Sequence, residues 1–391
     1  MAAGALVVAD GALVTPPAPP ARLLSVDALR GLTVAAMVLV NNPGTWSAMY
    51  APLRHAAWHE WTPTDMVFPF FLFVVGVSIA LALDPALERG AGGLPLRVLR
   101  RAAVIFALGL LLHALPFFPL ADLRIAGVLQ RIAVCYLLAA LLVLATGGAR
   151  GWPAQAVAVG VLLVGYWLLM TRVAAPGHVA GDLSPEGNLA GYVDRLVLGP
   201  RHIWQASRVY DPEGILSSLP ASATTLMGVL AGHWLRAGHG SDRPAARIAG
   251  GLAVGGVVAA ALGWLWGLSF PVNKALWTSS YALLMAGLAA VALAACHWAI
   301  EARGRRGWAA PFAVLGVHAL TLFFLSSVVA KLLFIVRVGA GGARLQSWLF
   351  AHLFAPWASA VNASLAYALA YVLLWWALMW ALDRSGLRLR V

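Results

Sequence analysis

The sequence predicts an all-α, polytopic membrane helix bundle, and three observations carry that reading. Hydrophobic residues make up 61% of the 391-residue chain and charged residues only 11%. A soluble globular domain is nearer about 45–50% apolar and about 25% charged. Mean hydropathy is +0.83. Third, the apolar residues gather in runs long enough to cross a bilayer, which takes about 20 residues of helix. About ten such runs occur, at 27–45, 64–83, 100–118, 125–146, 153–171, 216–236, 247–268, 276–299, 309–333 and 362–382.

Residues 1–21 are rich in Ala and Pro and lack an early Lys or Arg. A signal peptide needs a basic start, so this stretch is expected to be a disordered cytosolic tail. Residues 22–391 then form a single transmembrane domain. The first run opens on Ser25-Val26-Asp27-Ala28-Leu29-Arg30-Gly31. Ser25 suits an N-cap, and Asp27 pairs with Arg30 three residues on. The run stops at Asn41-Asn42-Pro43-Gly44. Asn tolerates left-handed backbone there, and Pro cannot continue a helix. The second run opens on Thr62-Pro63-Thr64-Asp65. Thr62 as N-cap, Pro63 at the first helical position and Asp65 at the third make a capping box, with the carboxylate also favoured by the helix dipole.

Arg97 precedes the third run, and Arg100 and Arg101 open it. The fourth carries Gln130 and Arg131 inside LRIAGVLQRIAVCYLL. An ionisable residue at membrane depth faces the bundle interior or water by default; a purely structural pair is the competing reading. Residues 172–215 form the one long polar excursion, and loops of that length tend to be functional. Within it Asp211-Pro212-Glu213-Gly214 reads as a turn. Residues 338–361 combine GAGGAR with an apolar stretch broken by His352 and Pro356. They read as an interfacial or re-entrant segment. No internal repeat of the kind that favours a transporter is visible.

Orientation follows from Lys and Arg in the loops. With the N-terminus inside, 16 basic residues fall on the cytosolic face, including Arg388 and Arg390, and 10 on the outer face. The formal net charge of +12 is thus a topology signal, and no nucleic-acid partner is expected. Cys135 and Cys296 both lie in apolar runs, so neither a disulfide nor a metal cluster is expected. The loop after Asn41 faces outward, with the long loop at 172–215 beside it as an extracytoplasmic feature.

That loop concentrates the chemistry. Trp46, His55, Trp58, His59, Glu60, Trp61 and Asp65 all fall between the first two runs. A carboxylate that orients an imidazole makes a general base near neutral pH, which suits Asp65 and His55. The plainer readings are a helix cap and a solvated histidine. Asn41 is either a helix stop or an amide donor to a developing oxyanion. The tryptophans form an aromatic belt or stack on a sugar ring, and His59 and Glu60 form a rim. In SFPVNKALWTSSY, Asn273 and Lys274 reach the same face, where Lys274 snorkels or meets substrate. Arg30, Arg97, Arg100 and Arg101 either receive phosphates or anchor the inner face.

The motifs RLLSVDALRG, MVLVNNPG, HAAWHEWTPTDMVFPFFLF, RIAGVLQRIAVCY, DPEGILSSLPASATTLMG and FPVNKALWTSSY resemble bacterial relatives of heparan-α-glucosaminide N-acetyltransferase. The likeness covers about residues 22–335 and continues more loosely beyond. The block from Asn41 to Gly76 is its most specific part. The resemblance implies transmembrane transfer of acetyl from cytosolic acetyl-CoA to the amine of a glucosamine-type sugar outside. It implies His55, Asn41 and Asp65 as catalytic. On that mechanism, the charge and depth of Asp27, Arg30, Arg100, Arg101, Gln130 and Arg131 make them the candidates for holding the donor. Trp46, Trp58, His59, Glu60, Asn273 and Lys274 are then acceptor contacts. No metal is implied. The expected setting is a bacterial inner membrane, as a homodimer, with the active site toward the periplasm and an amino sugar or glycan as acceptor. The fourteen residues from Asp27 to Asn41 rise about 21 Å as helix at about 1.5 Å each, on the order of an extended pantetheine arm. Against the animal enzyme, the chain carries NNPG where that protein has a different loop after the asparagine, and it is expected to be without that protein's N-terminal luminal domain and first helix. Two alternatives stand beside this reading: an O-acyltransferase of a periplasmic glycan, and a sugar permease without catalysis.

Overall fold

The computed structural model describes residues 7–9, 12–14, 23–241, 243–339 and 341–387. Its helices are α1 (Leu24–Asn41), α2 (Val67–Glu88), α3 (Leu94–Ala114), α4 (Val128–Ala145), α5 (Trp152–Arg172), α6 (Leu189–Val197), α7 (Ser218–His239), α8 (Ala245–Trp266), α9 (Ser279–His297), α10 (Ala310–Val317), α11 (Ala319–Ile335), α12 (Leu345–Leu353) and α13 (Ala360–Arg384). Within the expected N-terminal tail, Val7–Ala9 pairs antiparallel with Ala12–Val14; the rest of 1–21 lies outside the described residues, as do Arg388 and Arg390. Arg337–Val338 and Ala343–Arg344 form a second short antiparallel pair.

The chain is an all-α polytopic membrane protein. All ten predicted runs fall on helices. Among the described residues, seven helices are long and apolar enough to cross a membrane, and α10 with α11 makes an eighth if the pair is one span. Helices α3 and α7 have 21 and 22 residues but carry more polar side chains. The arginines of α3 point outward, whereas α7 turns Ser222, Thr224, Thr225 and His233 inward.

Several boundaries differ from expectation. The run at 309–333 is two helices bent by 69° about His318. Gly316, a poor helix former, and the polar His318 interrupt its apolar residues at the bend. Helix α3 starts at Leu94, with Pro95 in its first turn, so Arg97 lies on the helix and not before it. Leu23, not Ser25, is the N-cap of α1. Ser25 is buried, its Oγ 3.4 Å from both His297 Nδ1 and Glu301 Oε1. The stop at Asn42 uses no left-handed residue: φ is −132°. Its Nδ2 instead donates to Val38 O at 2.7 Å. In the region 338–361, α12 has nine residues, about 13.5 Å at about 1.5 Å per residue. That is well short of the roughly 30 Å of a hydrocarbon core.

Packing between helices relies on close backbone approach, as expected where lipid and side chain are equally apolar. A Cβ at Gly76 of α2 would stand 1.9 Å from Thr225 O of α7, and one at Gly228 of α7 would stand 2.0 Å from Phe73 O of α2. Helix α1 meets α10 in the same way through Gly31 and Gly316. The predicted Asp27–Arg30 pair forms there at 3.0 Å. Arg30 also donates to Ser78 Oγ on α2 at 2.8 Å and to Gly316 O on α10 at 3.3 Å, so it ties three helices together.

One end of the bundle gathers the loops 42–66, 115–127, 173–217, 267–278 and 336–359. Trp58 Nε1 donates to Leu183 O at 2.9 Å. Gln346 Nε2 donates to Gly44 O at 2.6 Å. Ile125 N donates to His202 O at 2.9 Å. These five loops are the ones assigned to a single face from the charge pattern.

Candidate active site

The chemistry builds outward from Asp65. Thr62 is extended, and the 3₁₀ turn Pro63–Met66 leads into α2. This capping-box geometry aims two backbone donors at one carboxylate oxygen. Thr62 N and Ala56 N each donate to Asp65 Oδ2 at 3.0 Å. The Thr62 hydroxyl lies 3.2 Å from the same atom. Tyr281 OH, from the first turn of α9, donates to the Asp65 backbone carbonyl at 2.6 Å. The carboxylate is only 1% exposed. Its remaining oxygen, Oδ1, lies 2.6 Å from His55 Nδ1. The imidazole is 44% exposed. A buried, fully coordinated carboxylate thus holds one ring nitrogen of an imidazole that stays nearly half exposed.

Lys274 completes the group. Its Nζ lies 3.2 Å from Asp65 Oδ1 and 2.9 Å from His55 Nδ1. Burial lowers the Lys274 pKa below the usual lysine range, and the Asp65 charge opposes that shift. The loop that carries Lys274 is tightly pinned. Asn273 is fully buried; its Oδ1 accepts from Leu276 N at 2.8 Å. Its backbone pairs with Glu60 in an isolated parallel bridge, and its Nδ2 lies 3.5 Å from His59 Nδ1. Tyr166 OH donates to Leu276 O at 2.6 Å. Trp277 sits at φ +49°, an unusual conformation for a bulky side chain. Its buried ring packs edge-on to Phe68 and Tyr281.

The long loop forms a wall beside this group. Arg124 donates to Asp211 Oδ1 and Glu213 Oε2, both at 2.5 Å. Burial alone would lower the Arg124 pKa, but Glu213 and Asp211 outweigh it and raise it. Asp194 accepts from Ile215 N at 2.8 Å and Asp211 N at 3.3 Å. Burial pushes its carboxyl up to about 6. The predicted turn at 211–214 forms, with Gly214 N on Asp211 O at 2.9 Å.

The predicted site residues separate into groups. His55, Asp65 and Lys274 are in mutual contact, with Asn273, His59 and Glu60 next to them. Trp58 is an anchor for the long loop, with its ring 4.9 Å from Tyr210, and Trp61 stands at the surface. Asn41 opens on a cavity of about 450 Å³ whose walls include Trp46, Pro116, Lys331, Gln346, Tyr367 and Tyr371. Among the described contacts, none joins Asn41 to His55. The six donor residues do not form one cluster. Asp27 and Arg30 are engaged in helix packing. Arg100 and Arg101 are exposed on α3, with Arg101 5.2 Å from the Tyr136 ring centroid. Gln130 is buried, its Nε2 3.4 Å from His113 Nδ1. Arg131 is 1% exposed. It donates to Gly214 O at 3.1 Å and to Ser217 Oγ, with its guanidinium 5.0 Å from the Trp277 ring centroid. It therefore braces the Trp277 loop from below and does not line the cavity.

Tyr281, Tyr166 and the Arg124–Asp211–Glu213 network escape a reading of spacing, because 87 residues separate Arg124 from Asp211. At the opposite end, His233 bridges Asp84 (2.7 Å) and Gln155 (2.9 Å), again across distant segments. Among the described residues, no group of three or more His, Cys, Asp or Glu is arranged to hold a metal ion.

A family model described as "Heparan-alpha-glucosaminide N-acetyltransferase, catalytic" matches residues 22–261. The human protein named heparan-alpha-glucosaminide N-acetyltransferase is 30% identical over 359 residues, covering 78% of this chain and 52% of the human one. The mouse protein of the same name is 29% identical over 359 residues, covering 77% and 53%. The chain spans about half the length of the curated relatives it matches. The matched family region contains Asn41, His55 and Asp65, while Lys274 lies beyond it. With most of its length under that model, this chain belongs to the heparan-alpha-glucosaminide N-acetyltransferase catalytic family.

Proposed function

We propose that residues 22–391 act as one transmembrane acetyltransferase, moving acetyl from acetyl-CoA to the amine of a glucosamine-type sugar. The observation that carries this reading is the His55–Asp65 contact of 2.6 Å with a half-open imidazole at the loop-rich end of a membrane bundle. The amine nitrogen attacks the thioester carbonyl and forms the C–N bond. His55 Nε2 takes the proton that the amine loses, and Asp65 holds Nδ1. The C–S bond breaks, and the departing thiolate takes a proton from the imidazolium or from water. Asn41 donates to the thioester oxygen from the wall of the 450 Å³ cavity. Exposed Arg100 and Arg101 suit the donor phosphates better than Arg30, whose guanidinium is engaged by Asp27 and Ser78. The setting that fits the charge pattern is a bacterial inner membrane with this end toward the periplasm.

The test is label transfer by purified protein. Radiolabelled acetyl-CoA is offered with glucosamine or with N-acetylglucosamine. Amine transfer labels the first, and O-acylation labels the second. His55→Ala is expected to remove at least about 100-fold of the rate, the lower range for a general base. An acid quench reveals any acetyl-histidine intermediate. Wild-type protein that binds sugar but never CoA, and moves sugar across proteoliposomes, is a permease and overturns the reading.

A further inference from the structure

Lys274 is the charged member of the site that this reaction leaves without a role. Two groups compete for His55 Nδ1: Asp65 Oδ1 at 2.6 Å and Lys274 Nζ at 2.9 Å. A carboxylate only accepts and an ammonium only donates, so both cannot bond the same ring nitrogen. The ammonium has a second acceptor in Asp65 Oδ1 at 3.2 Å and only a longer, 3.5 Å approach to His55 Nε2; the imidazole has no other described acceptor within reach.

We propose that Lys274 is a positioning residue for His55, pairing with Asp65 so that the neutral ring is held with its proton on Nδ1 and with the Nε2 lone pair available to the acceptor. The inference rests on the acetyl-transfer reading above. Carboxylate, ammonium and neutral imidazole sum to no net charge. A second proton on the ring would place two cations about 3 Å apart, so Lys274 disfavours the imidazolium that could not act as a base. The other titratable groups around the ring are His59 and Glu60 on its own loop, Tyr281 from α9, Arg54, whose Nε is held by Met49 O at 3.0 Å, and Glu213 from the long loop, which acts on Lys274. None of them makes a described hydrogen bond to the imidazole. The lysine is also presented rigidly. Asn273, Thr278 and Tyr166 fix the backbone on either side of it. Trp277, stacked over buried Arg131, closes the loop from below. A side chain meant only to snorkel needs no such scaffold.

The test compares wild type, Lys274→Met and Lys274→Arg as full chains in detergent, with Lys274→Gln as a second neutral variant should Met fail to fold. Rates of acetyl transfer to glucosamine are measured from pH 5 to 9. Neutral variants are expected to move the acid limb of kcat upward by about one pH unit and to lower kcat at pH 7 several-fold, with KM within about twofold. Lys274→Arg restores most of the wild-type profile. A KM raised about tenfold at every pH with an unmoved limb makes the lysine a substrate contact and overturns the inference. ¹⁵N-histidine spectra supply a readout independent of turnover, with the His55 signal identified by its loss in His55→Ala. Wild type is expected to carry the ring proton on Nδ1 at pH 8, and neutral variants to show more imidazolium at pH 7. Identical spectra sink the inference even if acetyl transfer is confirmed. If wild type transfers no acetyl, the function fails while the spectra still decide the pairing.

Discussion

Replacing Asp65 with Asn tests how strongly the site is coupled. The carboxylate accepts from Thr62 N and Ala56 N on one oxygen and faces His55 and Lys274 with the other. An amide keeps one acceptor and turns an N–H₂ toward donors or a cation. Breaking a buried pair by removing one partner costs about 3–5 kcal/mol, and Asp65→Asn is expected to fall in that range. The share due to Lys274 can be worked from geometry. At 3.2 Å and an effective dielectric of about 20, the Coulomb energy is about 5 kcal/mol. Lys274 is 23% exposed, and ordering its side chain opposes the attraction, so the net coupling should be about 2 kcal/mol. The assay is a double-mutant cycle of Asp65→Asn and Lys274→Met, read by tryptophan fluorescence during SDS-induced unfolding in mixed micelles at pH 8. The double variant should be about 2 kcal/mol more stable than the sum of the single losses predicts. Coupling below about 0.5 kcal/mol, the usual limit of additivity, would falsify the contact as an energetic pair. The double variant should regain stability but not acetyl transfer, since His55 still lacks its carboxylate.

Two further outcomes follow from the packing and the long loop. The folded Asp194 carboxyl sits at about 6 against an ordinary 3.8, so the folded state holds more protons than the unfolded one in that window. Its contribution is fully present below about pH 4 and lost as pH rises through about 6, a swing of up to about 3 kcal/mol at 1.36 kcal/mol per unit. Hydrogen exchange over residues 189–215 should therefore quicken from pH 4 to 6.5 beyond the intrinsic rate change. Asp194→Asn should remove that excess, and an unchanged excess contradicts the assignment. At the α2–α7 crossing, Gly76→Val would drive a branched side chain into Thr225 backbone at 1.9 Å and should cost about 1–3 kcal/mol or more. Gly160→Ala on α5, where a Cβ meets nothing within 4 Å, should be neutral or stabilising by up to about 1 kcal/mol. Equal thermal midpoints for the two variants would refute the crossing.

Much of this protein is legible in the sequence because a bilayer imposes a simple rule. Every backbone polar group must be satisfied inside lipid, so long apolar runs have to be helices, and ten of them were readable by length alone. Local chemistry was readable too. Thr62-Pro63-Thr64-Asp65 forms its capping box, and Asp27 meets Arg30, because both depend on residues within one helical turn. His55 and Asp65 are ten residues apart, near enough for one loop to bring them together. The break at His318 was missed by a reading of length, although Gly316 and His318 interrupt the apolar residues there. The partners of Arg124, Arg131 and Tyr281 were not readable. Side chains 87, 86 and 216 residues from their partners meet only because helices cross where glycines permit. Lys274 shows the division most plainly. Its sequence context marks it as a cation at a membrane boundary, whereas its contact with Asp65 and His55 exists only because α9 packs against the start of α2 and carries the preceding loop across the site.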